Sequence, residues 1–331
     1  MKKLSDSEQS IIKIRGKKNL SIFDLCSIND LSEKDLDLIF QLAQKFKKIG
    51  NKKYTLLKNF TIFNAFFENS TRTHSSFELA GKKLGADVIN ISGDSSVKKR
   101  ETLLDTAQVI NALRPEVIVV RTSHGGVPFL LSKHVKAAVI NAGDGRHEHP
   151  SQALLDIFTI KEHFQESLKN KKMLIVGDVL HSRVFGSLVR LALKLKIKIT
   201  VAAPQTLIPK KLTEKFAVSV SYDVNQAIKN TDIVYALRTQ EERGAGGFIP
   251  TLREMSKTFG VSEKRFALAA KNAILMHPGP IMRDIEVHNA LVGRKESLYF
   301  TQIENGLAIR SALLYLLGNR MDQKNKNYIT V

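Results

Sequence analysis

The runs VIVV (117–120) and AAVINA (137–142) most narrow the folds open to this chain. Neither alternates apolar with polar residues, so neither suits a sheet with one face in water. Unbroken apolar strands belong to parallel sheets covered by helices on both faces. Short segments of similar character recur as TIFNAFF (61–67), MLIVG (173–177), IKITVAAP (197–204), DIVYAL (232–237) and AILMH (273–277). Between them, apolar residues return at helical spacing. SSFELAGKKL carries Phe77, Ala80 and Leu84 on one face, with Gly85 placed as a C-cap. Leu154 to Phe164, SRVFGSLVRLALKL and GLAIRSALLYLLG read as further helices, the last before a polar tail. The alternation predicts an α/β chain with two mostly parallel, Rossmann-like sheets flanked by helices.

A length of 331 residues suits two domains. No apolar run approaches the roughly 20 residues that span a bilayer, so no membrane partner is expected. The opening MKKLSDSEQS has basic residues but no apolar stretch behind them, so no signal peptide is expected and the cytoplasm is the expected location. Cys26 is the single cysteine, which excludes an intramolecular disulfide framework and a cysteine metal cluster. The net charge of +19 suggests nucleic acid. Yet the lysines are spread along the chain, with no zinc-finger spacing and no aromatic-rich basic strand to stack bases. A solvated lysine surface that steers small anions is expected instead.

In open parallel sheets, ligands sit beyond the carboxyl ends of the strands. The segments there are polar, and most contain arginine: Glu68 to Thr73, Arg121 to His124, Gly143 to Gln152, Asp178 to Arg183, Arg238 to Arg243, and Pro278 to Pro280. Gly177-Asp178 resembles the start of a dinucleotide-binding turn but lacks G-x-G-x-x-G, so no nucleotide cofactor is expected. Ser70-Thr71-Arg72-Thr73 stands where a strand hands over to a helix. Free N–H groups and the helix dipole favour an anion there, hydroxyls add donors, and arginine binds oxygen pairs in a bidentate fork. Taken alone, the run also fits an ordinary capped helix. His147 and His149 are too few for a metal site, and His149 before Pro150 also fits a helix start. Glu68 equally suits a strand end, and Lys98-Lys99-Arg100 a solvated charge run.

Together with SSVKKRETLLDT, AGDGRHEHPSQALLD, VGDVLHSR, RTQEER, MHPGP and QIENGLAIR, the segment FFENSTRTHSSFELAGKKLGA resembles the aspartate carbamoyltransferases in order and spacing, from about residue 60 to 310. The resemblance implies residues 1–150 plus 304–331 as a carbamoyl-phosphate-binding domain, 151–303 as an aspartate-binding domain, and an active site in the cleft between them. It implies Ser70, Thr71, Arg72 and Thr73 as phosphate ligands. Arg121, His149 and Gln152 would surround the carbamoyl group, with Arg121 also reaching the phosphate. Ser95 and Lys99 would enter the site of a neighbouring subunit, on a loop where Arg100 replaces the usual glycine. Arg183, Arg238 and Gln240, with Lys99, would bind aspartate. Pro278 and Gly279, with Ser95 and Lys99, would bind carbamoyl phosphate, the carbonyls at Pro278 and Gly279 would receive the amine, and Glu68 and Arg243 would pair on domain closure. Catalysis would rest on Arg72, Thr73, Lys99, Arg121, His149 and Gln152, with no cofactor or metal. A homotrimer with shared sites is implied, and a larger assembly with a regulatory or dihydroorotase-like chain is left open. Ornithine carbamoyltransferases share the phosphate loop but usually carry H-P-C-Q, S-M-G and H-C-L-P, where this chain has His149-Pro150-Ser151-Gln152 and His277-Pro278-Gly279-Pro280 and no S-M-G. Aspartate is therefore the expected acceptor. A non-catalytic anion- or nucleic-acid-binding member of the same fold is the alternative, which absence of transferase activity would favour.

Overall fold

The computed structural model describes residues 5–16, 18–50, 52–92, 102–240 and 251–319. The chain divides into two compact units, Met1–Ser151 with Glu304–Val331, and Gln152–Ile303. The first holds a parallel sheet in the order β2-β1-β3-β4, with β1 Thr61–Phe66, β2 Asp87–Ser92, β3 Val117–Thr122 and β4 Ala138–Asp144. The second holds a parallel sheet in the order β7-β6-β5-β8-β9, with β5 Lys172–Val176, β6 Lys198–Ala202, β7 Val218–Ser221, β8 Ile233–Ala236 and β9 Ile274–Met276. The longer helices are α1 Asp6–Arg15, α2 Glu33–Ile49, α3 Thr71–Leu84, α4 Leu103–Leu113, α5 Val127–His134, α6 Pro150–Phe164, α7 Arg183–Lys194, α8 Leu252–Phe259 and α9 Tyr299–Gly318. The expected doubly covered parallel sheets are therefore present.

Sidedness follows the period-2 geometry of a strand. Phe63 and Ala65 of β1 join Ile118 and Val120 of β3 and Val139 of β4 in a core with Ala107 and Ile110 of α4 and Leu131 of α5. Ile62 points to the opposite face, against α3 at Gly81, where Val88 also packs. Fully burying one such side chain is worth about 1.5–3 kcal/mol, so the sheet stays put only while helices cover both faces.

Edge strands β2 and β7 escape the reading from apolar runs. DVINIS and VSVS mix polar with apolar residues and are partly exposed, as a sheet edge permits, whereas the edge strands β4 and β9 are buried. Helix α6 starts at Pro150, ahead of the expected Leu154, and α9 starts at Tyr299, ahead of the expected Gly306. Both extra turns carry polar residues that the apolar spacing does not mark.

Gly85 closes α3 in the left-handed region, at φ 89° and ψ 13°. A Cβ there would lie 2.5 Å from the Tyr54 carbonyl oxygen. Gly85→Ala is expected to lower unfolding stability by about 2 kcal/mol, read from urea midpoints, since both backbone strain and overpacking oppose it.

Candidate functional site

A strand order that reverses direction leaves a crevice at the carboxyl ends of the two strands where it reverses. In the first sheet this point lies between β1 and β3, and in the second between β5 and β8. Most of the candidate residues follow these four strands.

In the first unit, the end of β1 is pinned to the end of β3, because the Phe67 N–H donates to the Arg121 carbonyl at 2.8 Å. Arg121 Nη2 lies 3.6 Å from Glu68 Oε1, and its Nη1 donates to the Ala142 carbonyl at 3.5 Å. Arg243, the partner expected for Glu68, falls outside the described residues, as do Ser95 and Lys99.

Ser70 takes the N-cap position of α3, with φ −162° and ψ 99°, but its side chain makes no cap hydrogen bond. The first turn of α3 also lacks an acidic residue. Helices α1, α2 and α4 differ: Ser5 with Glu8, Ser32 with Asp35 and Thr102 with Asp105 form complete capping boxes. Ser70 to Thr73 is thus not a self-capped helix start. Its N–H groups and dipole have no carboxylate of their own to offset them, and Arg72 adds a cation where helices ordinarily place anions. Thr71 and Arg72 are exposed, while Thr73 is buried. Behind them, Arg310 of α9 donates to Ser76 Oγ at 2.9 Å and lies 5.3 Å from the centre of the Phe77 ring, seating α3.

The segment after β4 is tied to β3, since the Gly145 N–H donates to the Thr122 carbonyl at 2.9 Å. His149 is buried, with Nδ1 3.5 Å from Ser151 Oγ, and Pro150 opens α6 directly after it. His147 lies 3.1 Å from Asp144 through Nδ1 and meets the Phe129 ring, a structural setting. Among the described residues, no group of three His, Cys, Asp or Glu side chains could hold a metal. Asp144 accepts from the Gly126 N–H, Asn141 Nδ2 and the Glu148 N–H at 2.8, 2.9 and 3.1 Å. Glu148 in turn accepts from Ser27 Oγ at 2.6 Å and the Ile28 N–H at 2.9 Å.

In the second unit, Gly177 follows β5 at φ 118°, and a Cβ there would meet the Leu237 carbonyl oxygen at 2.8 Å. This glycine lets the segments after β5 and β8 approach. Asp178 then accepts from the Gln240 N–H at 3.1 Å and faces His181 Nδ1 at 2.9 and 3.0 Å. Ser182 caps α7, and Arg183 opens it while buried, again with no acidic residue in the first turn.

Gln152 donates from Nε2 to Asp156 Oδ1 at 3.0 Å. Asp156 also accepts from Gln302 Nε2 and the Tyr235 hydroxyl, both at 2.7 Å. Burial, then the Asp156 carboxylate, push the Tyr235 hydroxyl well above the usual tyrosine range, so it remains a donor. Glu286 Oε1 accepts from the Thr239 N–H at 2.6 Å, between Arg238 and Gln240. His277 Nδ1 accepts from the Gly279 N–H at 2.8 Å, beside Pro278. The sequence reading assigned no role to the buried carboxylates Asp144, Asp156, Asp178 and Glu286. Gly143-Asp144 and Gly177-Asp178 do share a strand-Gly-Asp pattern, whereas nothing local marks Glu286.

Residues 24–162 match the family model for the aspartate/ornithine carbamoyltransferase carbamoyl-P binding domain, and residues 169–317 that for the Asp/Orn binding domain. The aspartate carbamoyltransferase catalytic subunit of Ruminiclostridium cellulolyticum is 45% identical over 306 residues, covering 91% of this chain and 97% of its own. That of Maricaulis maris is 44% identical over 299 residues, covering 89% and 93%. Among solved structures, ornithine carbamoyltransferase from Thermus thermophilus superposes with a TM-score of 0.79 at 26% identity, covering 89% of this chain and 99% of that one. Aspartate transcarbamoylase from Trypanosoma cruzi, in complex with aspartate and phosphate, gives a TM-score of 0.78 at 27% identity, covering 89% and 94%.

Ser32→Ala is expected to cost about 1 kcal/mol of stability by removing a cap, whereas Ser70→Ala should stay within about 0.5 kcal/mol. Urea denaturation checks the contrast. Burial alone would raise the Asp144 carboxyl, but bonds from His147, the Gly126 N–H and Asn141 outweigh it and hold the group below its ordinary value. Such a group adds stability that is complete above the unfolded value of about 4 and is lost as pH falls through the native one. Urea midpoints should therefore fall on acidification below about pH 4, and fall less steeply in Asp144→Asn.

Proposed function

Because the chain belongs to the aspartate/ornithine carbamoyltransferase family, we propose that it transfers the carbamoyl group of carbamoyl phosphate to the α-amino group of L-aspartate. The products are N-carbamoyl-L-aspartate and phosphate, an early step of de novo pyrimidine biosynthesis. The observation that carries the reading is a pair of helix N-termini, α3 and α7, each bearing an arginine and no carboxylate in its first turn. A helix N-terminus with free N–H groups and a cation favours an anion.

The fold does not choose the acceptor, since an ornithine enzyme superposes as well as an aspartate enzyme. The choice of aspartate is supported by relatives of 44–45% identity named for it and by Arg238 and Gln240 after β8. An ornithine side chain would bring a second cation to Arg238.

In this reading Ser70, Thr71, Arg72 and Thr73 hold the phosphate, with Arg121 reaching it. Arg183, Arg238 and Gln240 hold the aspartate carboxylates. The α-amino group attacks the carbonyl carbon, and the oxygen becomes an oxyanion faced by Thr73, Arg121 and His149. One such preorganised donor is typically worth about 3 kcal/mol. Asp156 holds the Gln152 amide nitrogen, which directs the amide oxygen to the carbamoyl NH2. The carbonyls at Pro278 and Gly279 receive the incoming amine. Phosphate leaves and takes up the amine proton, so no protein nucleophile, cofactor or metal takes part. Placing two anions together accounts for most of the remaining rate.

Ser95 and Lys99 act in the neighbouring subunit's site, which makes the working form a homotrimer in the cytoplasm. Exposed apolar side chains on the first unit support such an interface: Leu79 on α3, Ile89 on the edge strand β2, and Leu104, Val109 and Leu113 on α4. The relatives' designation as catalytic subunits is compatible with a further regulatory or dihydroorotase-like partner. Glu68 and Arg243 pair when the substrates are bound.

Purified protein is expected to carbamoylate L-aspartate and leave ornithine untouched. Ornithine turnover would overturn the acceptor, and tight, salt-sensitive nucleic-acid binding without transfer would overturn the reaction. Arg72→Ala should lower kcat/KM for carbamoyl phosphate by about a thousandfold, the scale of a lost transition-state donor, and near-normal kinetics would remove Arg72 from the site. Mixing Arg72→Ala with Lys99→Ala chains should restore part of the activity through hybrid trimers. Hybrids that assemble but stay inactive would rule out shared sites.

A further inference from the structure

Glu286 stands apart from the residues that touch substrate in the reading above, yet the segments after β8 and β9 both end on it. Its Oε1 accepts from the Thr239 N–H at 2.6 Å, and its Oε2 accepts from the Met282 N–H at 2.8 Å and faces His277 Nε2 at 3.0 Å. The other ring nitrogen of His277, Nδ1, accepts from the Gly279 N–H at 2.8 Å. A backbone amide only donates, so Nδ1 carries no proton and Nε2–H is the donor to Glu286. The His277 backbone N–H donates to Gln302 Oε1 at 3.0 Å, which fixes the base of the ring. His277, Glu286 and Thr239 are all buried.

This network has one proton arrangement. Moving the ring proton to Nδ1 would set it against the Gly279 N–H and turn a lone pair toward the carboxylate. Glu286 therefore measures the distance between two short segments: Arg238-Thr239-Gln240 on one side, and Pro278-Gly279 on the other. Resting on the aspartate-transfer reading, we propose that Glu286, with His277, is a positioning pair that registers the aspartate-binding side chains against the backbone carbonyls that receive the amine. The proposed phosphate ligands, Ser70 to Thr73, belong to the other unit and share no hydrogen bond with Glu286.

That separation gives the test. In Glu286→Gln the amide NH2 must face either the Thr239 N–H or the Met282 and His277 donors, so a donor meets a donor in both orientations. Small misplacements of reacting groups cost on the order of a hundredfold. The variant is expected to raise KM for aspartate and to lower kcat/KM for aspartate by about 10- to 100-fold. Affinity for inorganic phosphate, measured by equilibrium binding, should stay within about twofold, since Ser70 to Thr73 are not touched. Unchanged aspartate kinetics in the variant, with active wild type, would overturn the positioning role and leave the reaction standing. Equal loss of inorganic-phosphate binding would also overturn it, since it marks general disruption. Wild type that fails to use aspartate would overturn the functional reading itself. Nitrogen-15 shifts of His277 in the wild-type protein provide a check that needs no variant. A neutral Nε2–H ring at pH 7 supports the network, and an Nδ1–H or doubly protonated ring overturns it, whether or not Glu286→Gln folds.

Discussion

An arginine at the positive end of a helix opposes the helix dipole, and this chain has that arrangement at Arg72 and Arg183. In both first turns no acidic side chain offsets it, whereas α1, α2 and α4 place carboxylates there in the ordinary way. The reversal is local and costs stability, by about 0.3–1 kcal/mol for an exposed charge. At the exposed Arg72 it makes sense if a negative charge arrives with a ligand. Each helix follows a strand at the reversal point of its sheet, where parallel topology leaves a crevice. Sheet order, helix start and charge therefore converge on the same short segments.

The segments around these cations are framed by buried carboxylates, each occupied by several donors. Asp144 is held by Gly126, Asn141, His147 and Glu148, Asp156 by Gln152, Tyr235 and Gln302, and Glu286 by Thr239, Met282 and His277. A buried carboxylate with unmade bonds would be costly, while one with three or four fixed donors locks the segments that supply them. Those that carry Gly126, Glu148, Thr239 and Met282 lie outside the helices and strands, and without such locks they would be the most mobile parts of an α/β unit.

The central strands were legible because burial on both faces leaves an unbroken apolar run, as in VIVV of β3 and MLIV of β5. The edge strands DVINIS and VSVS were not, because one-sided exposure gives them the composition of loops. Ser70 to Thr73 shows what local reading lacks: the same four residues describe a capped helix until the structure shows the Ser70 hydroxyl off the cap. The resemblance supplied the candidate ligands, and the fold brings Glu68 beside Arg121 and sets Gln240 on Asp178. The carboxylates beneath them were not assigned, since each of Asp156, Asp178 and Glu286 takes a partner tens of residues away, side chains in the first case and backbone N–H groups in the other two. Glu286 and Thr239, 47 positions apart in the chain, are the clearest case.

The central claim is a division of labour, with phosphate held after β1 and the acceptor's carboxylates after β5 and β8. Titrating inorganic phosphate into Arg72→Ala and Arg238→Ala tests it most directly. The account predicts that phosphate binding is lost in the first variant and kept in the second. Equal loss in both, or loss only in Arg238→Ala, would contradict it.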